Sequence, residues 1–455
     1  MSRLMVSVSG IRGVVGDTFT PPVIQKYVAA FGKIMGKKIV VGRDSRVTGS
    51  MVEHLVIGTL NAIGCDVSII GICPTPTVQL AVENLHADGG IAITASHNPI
   101  EWNALKLIDP DGLFLDEESS AAIVAGADST GPEYVTWDKI GRCEEYPYAI
   151  RDHKEAIFNL PYVDVPALRK RRFRVALDCV NGAGAVFLPE FLRDLGCEVV
   201  ELNTVPNGMF PHTPEPVPEN LTGLINVVKS NSVDVAFAVD PDSDRLAILS
   251  EKGEPLVEEY TLALAVKFFL AKKPGTVVVN ASTTRAIDDI VHSFGEKVIR
   301  TKVGEVHVAK RIREEHAVIG GEGNGGVILP DVHLGRDAPV AVALTLQHLL
   351  EFGKPISELR AGLPQYVIVK KKIKIGRSNP DEILAGIKEN HEYEQLDLID
   401  GVKINREKSW LQLRKSNTEP IIRVFAEAPT REQAEAESSE LFAEVKKLII
   451  SSCKS

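Results

Sequence analysis

Ser96 stands in the run Thr94-Ala95-Ser96-His97-Asn98-Pro99, directly after the apolar, glycine-led segment Gly89-Gly90-Ile91-Ala92-Ile93. A strand ending in a tight polar turn holds a side chain at the rim of a sheet, where a ligand can reach it. A serine hydroxyl is a weak nucleophile unless a neighbour activates it or it already carries the transferable group. No base is evident beside it, so the chemistry turns on what moves on and off Ser96.

The second chemical signal is Asp240-Pro241-Asp242-Ser243-Asp244-Arg245. Carboxylates at alternate loop positions can converge on one hard cation, and magnesium favours a few carboxylates plus phosphate or substrate oxygens. Three carboxylates within ~4 Å would repel by up to about 4 kcal/mol per pair at an effective dielectric of 20. A counter-cation resolves that repulsion. A calcium loop of EF-hand type competes, because Glu251 falls at the twelfth position from Asp240. Arg245 occupies the sixth position, which needs a glycine turn, and the flanks 233–239 and 246–250 read as strands rather than paired helices. The calcium reading fails on both counts.

Two further loops carry binding groups. Gly320-Gly321-Glu322-Gly323-Asn324-Gly325-Gly326 follows the apolar run 317–319; its glycines admit close approach of a ligand, and Glu322 and Asn324 can hydrogen-bond hydroxyls. Arg414-Lys415-Ser416-Asn417-Thr418-Glu419-Pro420 gathers two cations, two hydroxyls and an amide in one turn, a phosphate cradle or a charged surface hairpin. The segments Ser9-Gly10-Ile11-Arg12-Gly13 and Gly42-Arg43-Asp44-Ser45-Arg46 add arginines on loops, and most such arginines are structural ion-pair partners.

The elements that must position these loops repeat one local grammar: a β-branched strand, a polar loop, a helical pattern, then another strand. Strands begin at Lys38, Phe173 and Gly275; helical patterns cover 51–63, 185–195 and 284–294; second strands cover 66–70, 198–202 and 297–302. The alternation predicts three similar α/β domains with mixed, largely parallel sheets. The last stretch differs, with strands over 410–413 and 421–426 and a helix over 430–450, a smaller α+β domain. The divisions expected from these pattern changes are 1–149 (serine loop), 150–251 (acidic loop), 252–369 (glycine-rich loop) and 370–455 (cationic loop).

Composition agrees with such an assembly. The 455 residues suffice for roughly three or four domains, each with its own core. A formal net charge of −10 argues against nonspecific binding to nucleic acid or anionic membranes, though basic loops can still take anionic substrates. The six cysteines are scattered, with no zinc spacing, as expected of thiols in a reducing compartment. With no secretory signal pattern and no apolar run near 18 residues, a cytoplasmic protein is expected.

In combination and in chain order, Ser-Gly-Ile-Arg-Gly (9–13), Thr-Ala-Ser-His-Asn-Pro (94–99), Asp-Pro-Asp-Ser-Asp-Arg (240–245), Gly-Gly-Glu-Gly-Asn-Gly (320–325) and Arg-Lys-Ser-Asn-Thr-Glu-Pro (414–420) resemble the motifs of the α-D-phosphohexomutase superfamily, which includes phosphoglucomutases, phosphomannomutases and phosphoglucosamine mutases. Gly-Glu-Gly-Asn-Gly-Gly looks most like the archaeal-type phosphoglucosamine mutase group. The resemblance implies that Ser96 carries a phosphoryl group and donates it to a sugar monophosphate. A hexose 1,6-bisphosphate is then the intermediate and activator, and it returns its other phosphate to Ser96. It implies Mg²⁺ held by Asp240, Asp242, Asp244 and an oxygen on Ser96. Arg12 and Arg245 would flank the transferring group, Lys106 would assist proton transfer, and His97 would orient the site. Glu322 and Asn324 would hold sugar hydroxyls, while Arg414, Ser416, Asn417 and Thr418 would grip the non-reacting phosphate. The implied partner is a small sugar phosphate, with no nucleic acid and no membrane; monomer and homo-oligomer both stay open.

Three departures from the family pattern stand out. Ala104 replaces the usual glycine two residues before Lys106, Asn324 and Gly326 stand where many relatives have serine and histidine, and Ser282 stands where some gluco- and mannomutases carry lysine. The last two bear on sugar identity rather than on the chemistry. Glucosamine phosphate is expected ahead of glucose or mannose phosphates. A non-catalytic sugar-phosphate sensor is disfavoured because Ser96, three aspartates and Arg245 are all present. A phosphatase passing phosphate to water is a third reading.

Overall fold

In a computed structural model of the chain, residues 4–7, 10–129, 133–376, 378–415 and 421–452 are described. Three of its four sheets are variations on one unit. In the first unit, strand Lys38–Arg43 lies between Asp66–Ile72 and Gly89–Ile93, both parallel to it, and Trp102–Ile108 closes the set antiparallel to Gly89–Ile93. The second unit repeats this with Arg174–Asp178 between Glu198–Leu202 and Val235–Val239, and Leu246–Leu249 antiparallel at the edge. The third repeats it with Val277–Asn280 between Val298–Thr301 and Ile319–Glu322, and Gly326–Ile328 antiparallel. The first sheet is widened to seven strands by Met5–Ser7, Gly10–Val14 and Cys143–Glu145.

This repetition positions the chemistry. In every unit the functional loop joins the third strand to the antiparallel fourth. The serine loop follows Gly89–Ile93, the acidic loop follows Val235–Val239, and the glycine-rich loop follows Ile319–Glu322. All three leave the carboxyl end of a parallel strand, the edge where open α/β sheets bind ligands. The strands 89–93 and 235–239 are buried along their whole length, as parallel strands covered on both faces must be.

The helices follow the sequence pattern with one exception. The pattern over 185–195 is divided into a 3₁₀ turn, Ala183–Val186, and an α-helix, Leu188–Asp194. Pro189 has no N–H to extend an earlier helix and is favoured in a first turn, so the helix restarts there. The second and third units share one continuous buried cluster, running from Ile157 through Phe237 and Leu264 to Leu363.

The C-terminal region is a five-stranded antiparallel sheet, ordered Val367–Lys374, Ile421–Ala428, Trp410–Lys415, Val402–Asn405 and Gln395–Asp397. Helices Pro380–Asn390 and Arg431–Ser452 accompany it. Strand 367–374 pairs along its full length with 421–428, so a division between 369 and 370 would fall inside this strand. Among the described residues, no helix is long and apolar enough to cross a membrane.

Candidate active site

Ser96 is buried, 4% exposed, and its backbone has φ +47°, a left-handed conformation that costs a non-glycine residue about 1–2 kcal/mol. Arg46 and Asp44 hold it there. Both terminal nitrogens of the Arg46 guanidinium are spent on this loop. Its Nη2 donates to the carbonyls of Ser96 (2.6 Å) and Asn98 (2.7 Å), and its Nη1 donates to those of Pro99 (2.7 Å) and Trp102 (2.9 Å). Its Nε donates to Asp44 Oδ2 at 3.1 Å. The same oxygen accepts from Thr94 Oγ1, which in turn accepts from the Ser96 amide. From the sequence an arginine in the segment 42–46 is expected to be a structural ion-pair partner, and nothing local distinguishes Arg46 from Arg43, which pairs with Glu53.

The Ser96 hydroxyl donates to Asp240 Oδ2 at 2.9 Å and lies 3.3 Å from His97 Nδ1. The serine loop and the acidic loop therefore meet. The ligand oxygens of Asp240, Asp242 and Asp244 lie within 4.8 Å of one another, and all three residues are fully buried. Asp242 and Asp244 each engage the protein through Oδ2. Asp242 accepts from Lys106 Nζ (2.6 Å) and Thr75 Oγ1 (2.7 Å). Asp244 accepts from Arg336 Nη2 (2.6 Å) and Lys106 Nζ (3.2 Å). Asp242 Oδ1 and Asp244 Oδ1 have no hydrogen-bond partner although they are buried. Two orphaned carboxylate oxygens beside a third carboxylate and the serine oxygen form an all-oxygen set suited to a hard divalent cation.

The electrostatics are divided among the three. Burial pushes the Asp240 carboxyl well above its ordinary range, and Asp244 and Asp242 push it further. Burial acts the same way on Asp244, but Arg336, Lys106 and Arg245 outweigh it and hold that carboxyl below its ordinary value. Lys106 loses hydration on burial, yet Asp242 and Asp244 raise its pKa. Arg245, followed by burial and Arg12, depresses His97 to about 2, so the imidazole is neutral beside Ser96. Arg12 donates to Asn98 Oδ1 at 3.1 Å. The Arg245 amide donates to Asp240 Oδ1 at 3.3 Å, and its Nε lies 3.6 Å from Asp244 Oδ1.

Glu322 is also buried, and both its oxygens are engaged within the protein. Oε1 accepts from Asn280 Nδ2 (2.8 Å) and the Gly304 amide (2.9 Å). Oε2 accepts from Arg336 Nη1 (2.7 Å) and, more weakly, from Asn324 Nδ2 (3.4 Å). Arg414 pairs with Asp400 at 3.0 Å. A hydrogen-bonded relay joins that arginine to Glu322: Gln412 Nε2 donates to the Asp400 carbonyl, Ser282 Oγ donates to Gln412, and Ser282 N donates to Asn280 Oδ1. Ser282 is thereby committed to the C-terminal sheet. Ser416, Asn417 and Thr418 lie outside the described residues.

Two other clusters are closed. Glu251, the twelfth position of the rejected calcium loop, is turned away to the hydroxyl and amide of Ser357. His153, His333 and Asp337 converge with metal-like spacing, but each ring nitrogen is taken. Both Nε2 atoms bond Asp337 Oδ2, His153 Nδ1 meets Thr77 Oγ1, and His333 Nδ1 accepts from the Gly335 amide. This cluster ties all three units together, through Thr77 of the first, His153 of the second, and His333 and Asp337 of the third.

A serine facing three carboxylates, ringed by arginines and a lysine at the meeting of three sheets, defines a phosphoryl-transfer class of site. Comparison with known proteins gives the family. Models of the phosphoglucomutase/phosphomannomutase α/β/α domains I, II and III match residues 3–132, 151–253 and 258–366, and the C-terminal domain model matches 366–444. A probable phosphoglucosamine mutase of Methanopyrus kandleri is 40% identical over 435 residues, covering 94% of each chain. A phosphoglucomutase/phosphomannomutase of Thermococcus kodakarensis is also 40% identical, covering 93% of this chain and 94% of its own. A solved phosphoglucomutase/phosphomannomutase family protein from Burkholderia thailandensis superposes with TM-score 0.86 at 26% identity, over 98% of both chains. Aspergillus fumigatus N-acetylphosphoglucosamine mutase, solved with GlcNAc-6P and magnesium, shares the fold at 15% identity and TM-score 0.60.

The chain belongs to the phosphoglucomutase/phosphomannomutase family, within the α-D-phosphohexomutase superfamily. It is a phosphohexomutase, an enzyme that acts as an intramolecular phosphotransferase.

Proposed function

We propose that Ser96 is the phosphoryl carrier of this mutase and that it interconverts hexose 1-phosphate and 6-phosphate, with glucosamine phosphate the preferred substrate. The observation that carries the reading is the contact between Ser96 Oγ and Asp240 at 2.9 Å beside two buried carboxylate oxygens that accept no hydrogen bond. In the first half-reaction a sugar hydroxyl oxygen loses its proton and bonds phosphorus as the bond from phosphorus to the serine oxygen breaks and that oxygen is protonated. In the second the serine oxygen bonds the other phosphorus as its bond to the sugar oxygen breaks, and the proton returns to the sugar. Mg²⁺ held by Asp240, Asp242 and Asp244 would neutralise charge on the phosphoryl oxygens. Arg12, bonded to Asn98 of the serine loop, and Arg245, beside Asp244, supply fixed positive charge, and burial of Ser96 excludes competing water. Lys106, charged and tied to Asp242 and Asp244, balances the acidic loop; a proton role for it requires release from that pair.

Glu322 would exchange an internal hydrogen bond for a sugar hydroxyl, and Asn324 stands beside it to do the same. Arg414, with Ser416, Asn417 and Thr418, would hold the non-reacting phosphate. A substrate that binds in two orientations needs one constant handle. Preference for glucosamine phosphate rests on the Gly-Glu-Gly-Asn-Gly-Gly loop and on relatives such as that of Methanopyrus kandleri. The equally similar Thermococcus kodakarensis relative, named for glucose and mannose phosphates, supports those sugars as the second reading. A cytoplasmic location fits such a role.

The test is intact-mass detection of one phosphoryl group on the active protein and its loss in Ser96→Ala. It is followed by parallel kinetics on glucosamine, glucose and mannose 1-phosphates with a bisphosphate activator. Ser96→Ala should fold normally and lose turnover; near-normal activity in that variant would overturn the carrier role. Inorganic phosphate release outpacing isomer formation would favour the phosphatase reading.

A further inference from the structure

Arg336 belongs to none of the sequence motifs, yet its side chain bridges the acidic loop and the glycine-rich loop. Its side chain is 9% exposed. Its three nitrogens reach three carboxylates: Nη2 donates to Asp244 Oδ2 (2.6 Å), Nε to Glu305 Oε2 (2.9 Å) and Nη1 to Glu322 Oε2 (2.7 Å). Glu305 is fixed in turn by Gln79 Nε2 at 3.1 Å, from the first unit. The guanidinium is a rigid planar fork, so carboxylates bonded to its separate nitrogens are held at set distances and angles. Asp244 is held by Oδ2 and keeps Oδ1 without a hydrogen bond, 3.6 Å from Arg245 Nε; Glu322 is held by Oε2 at the other end.

The chain makes room for this side chain at Gly326. A Cβ there would lie 2.2 Å from Arg336 Cδ and 2.8 Å from Cγ, the middle of a stem whose head is pinned three ways. The backbone of Gly326 is outside the left-handed region, so its lack of a side chain answers to Arg336 and not to the turn.

We propose that Arg336 is a positioning residue that fixes the metal-binding carboxylate of Asp244 relative to the sugar-binding carboxylate of Glu322, with Gly326 as the space that admits it. The proposal rests on the site assignments made under the proposed function. It couples the phosphoryl-transfer end of the site to the sugar-reading end through one side chain.

The experiment uses the full chain and four variants, Arg336→Lys, Gly326→Ala, Glu322→Gln and the double variant Glu322→Gln/Arg336→Lys, each checked for folding by circular dichroism. Mn²⁺ binding is measured calorimetrically without sugar, and kcat and KM are measured with glucosamine 1-phosphate and glucose 1-phosphate. Arg336→Lys keeps the charge but cannot span three carboxylates, so it should weaken Mn²⁺ binding about 10–100-fold and raise KM by a similar factor. Gly326→Ala removes no charge and should move both quantities in the same direction. Glu322→Gln should raise KM while leaving Mn²⁺ affinity within about twofold, and in that background Arg336→Lys should add little to KM. If Arg336→Lys does not fold, Gly326→Ala decides. Folded variants that keep Mn²⁺ affinity and KM within about twofold of wild type overturn the positioning role alone. Wild-type protein that neither binds Mn²⁺ nor converts either sugar phosphate overturns the underlying site assignment, and the proposal with it.

Discussion

Arg46→Met should loosen the serine loop without unfolding the protein. The substitution removes the guanidinium that sits over the Phe210 ring and with it five hydrogen bonds, four to loop carbonyls and one to Asp44. Hydrogen bonds from a charged donor contribute about 1.5–3 kcal/mol each, but the freed carbonyls will partly recover with water. The loss of one partner from a buried ion pair sets a firmer scale of about 3–5 kcal/mol. That is a large part of the 5–15 kcal/mol typical of a folded domain, and the loss falls on one loop. At 1.36 kcal/mol per decade, amide exchange through local opening of residues 94–103 should accelerate about 10²–10⁴-fold. Loss of about 1 Å of precision at Ser96 should lower kcat about 10²-fold. Hydrogen-exchange mass spectrometry suits a four-unit chain, since it does not require two-state unfolding. Arg43→Met is the control, because Arg43 pairs with Glu53 and bonds none of the carbonyls of loop 94–103; exchange of that loop should stay within about tenfold of wild type. Equal exchange rates for loop 94–103 in Arg46→Met and Arg43→Met would refute the reasoning.

Two further predictions concern pH. Burial, reinforced by Glu258, pushes the Glu259 carboxyl up to about 8, so its contribution to stability is full below the ordinary 4.5 and lost as pH rises toward 8. Glu259→Gln should therefore raise the melting temperature relative to wild type at pH 8.5, with the gap closing by pH 4; a gap independent of pH would contradict this. Asp116 is held down to about 2 by its bond to Lys310 across the first and third units, with the Ser119 amide adding to it. That contribution is present above the ordinary 3.8 and lost as pH falls from 3.8 to 2. Asp116→Asn should flatten the wild-type loss of thermal stability over that window, and an unchanged slope would count against the bridge.

The motifs were legible in the sequence because each is contiguous: the serine run, the alternating aspartates and the glycine-rich loop are local patterns of residue type. The three α/β units were legible because alternating strand and helix periodicities are also local. Other parts were hidden by the same physics. Lys370-Lys371-Lys372 reads as a break in pattern, yet these lysines lie on an edge strand, where charge is favoured because one side of the ladder is unpaired. The short strands 395–397 and 402–405 carry too few residues for a period to show. Pro189 divides a helix whose apolar spacing continues across the division.

By itself the sequence determined the order of the chemical motifs, their family and the repeated unit. The tertiary structure alone decided that the three functional loops are the same turn of that unit, and that Ser96 meets Asp240 across 144 residues of chain. It also decided which arginines hold the site. Arg46 and Arg336 look like any other arginine in the sequence, because their roles depend on carbonyls and carboxylates brought from distant segments. A guanidinium acquires its function from the acceptors the fold places around it, and those acceptors leave no mark beside it in the chain.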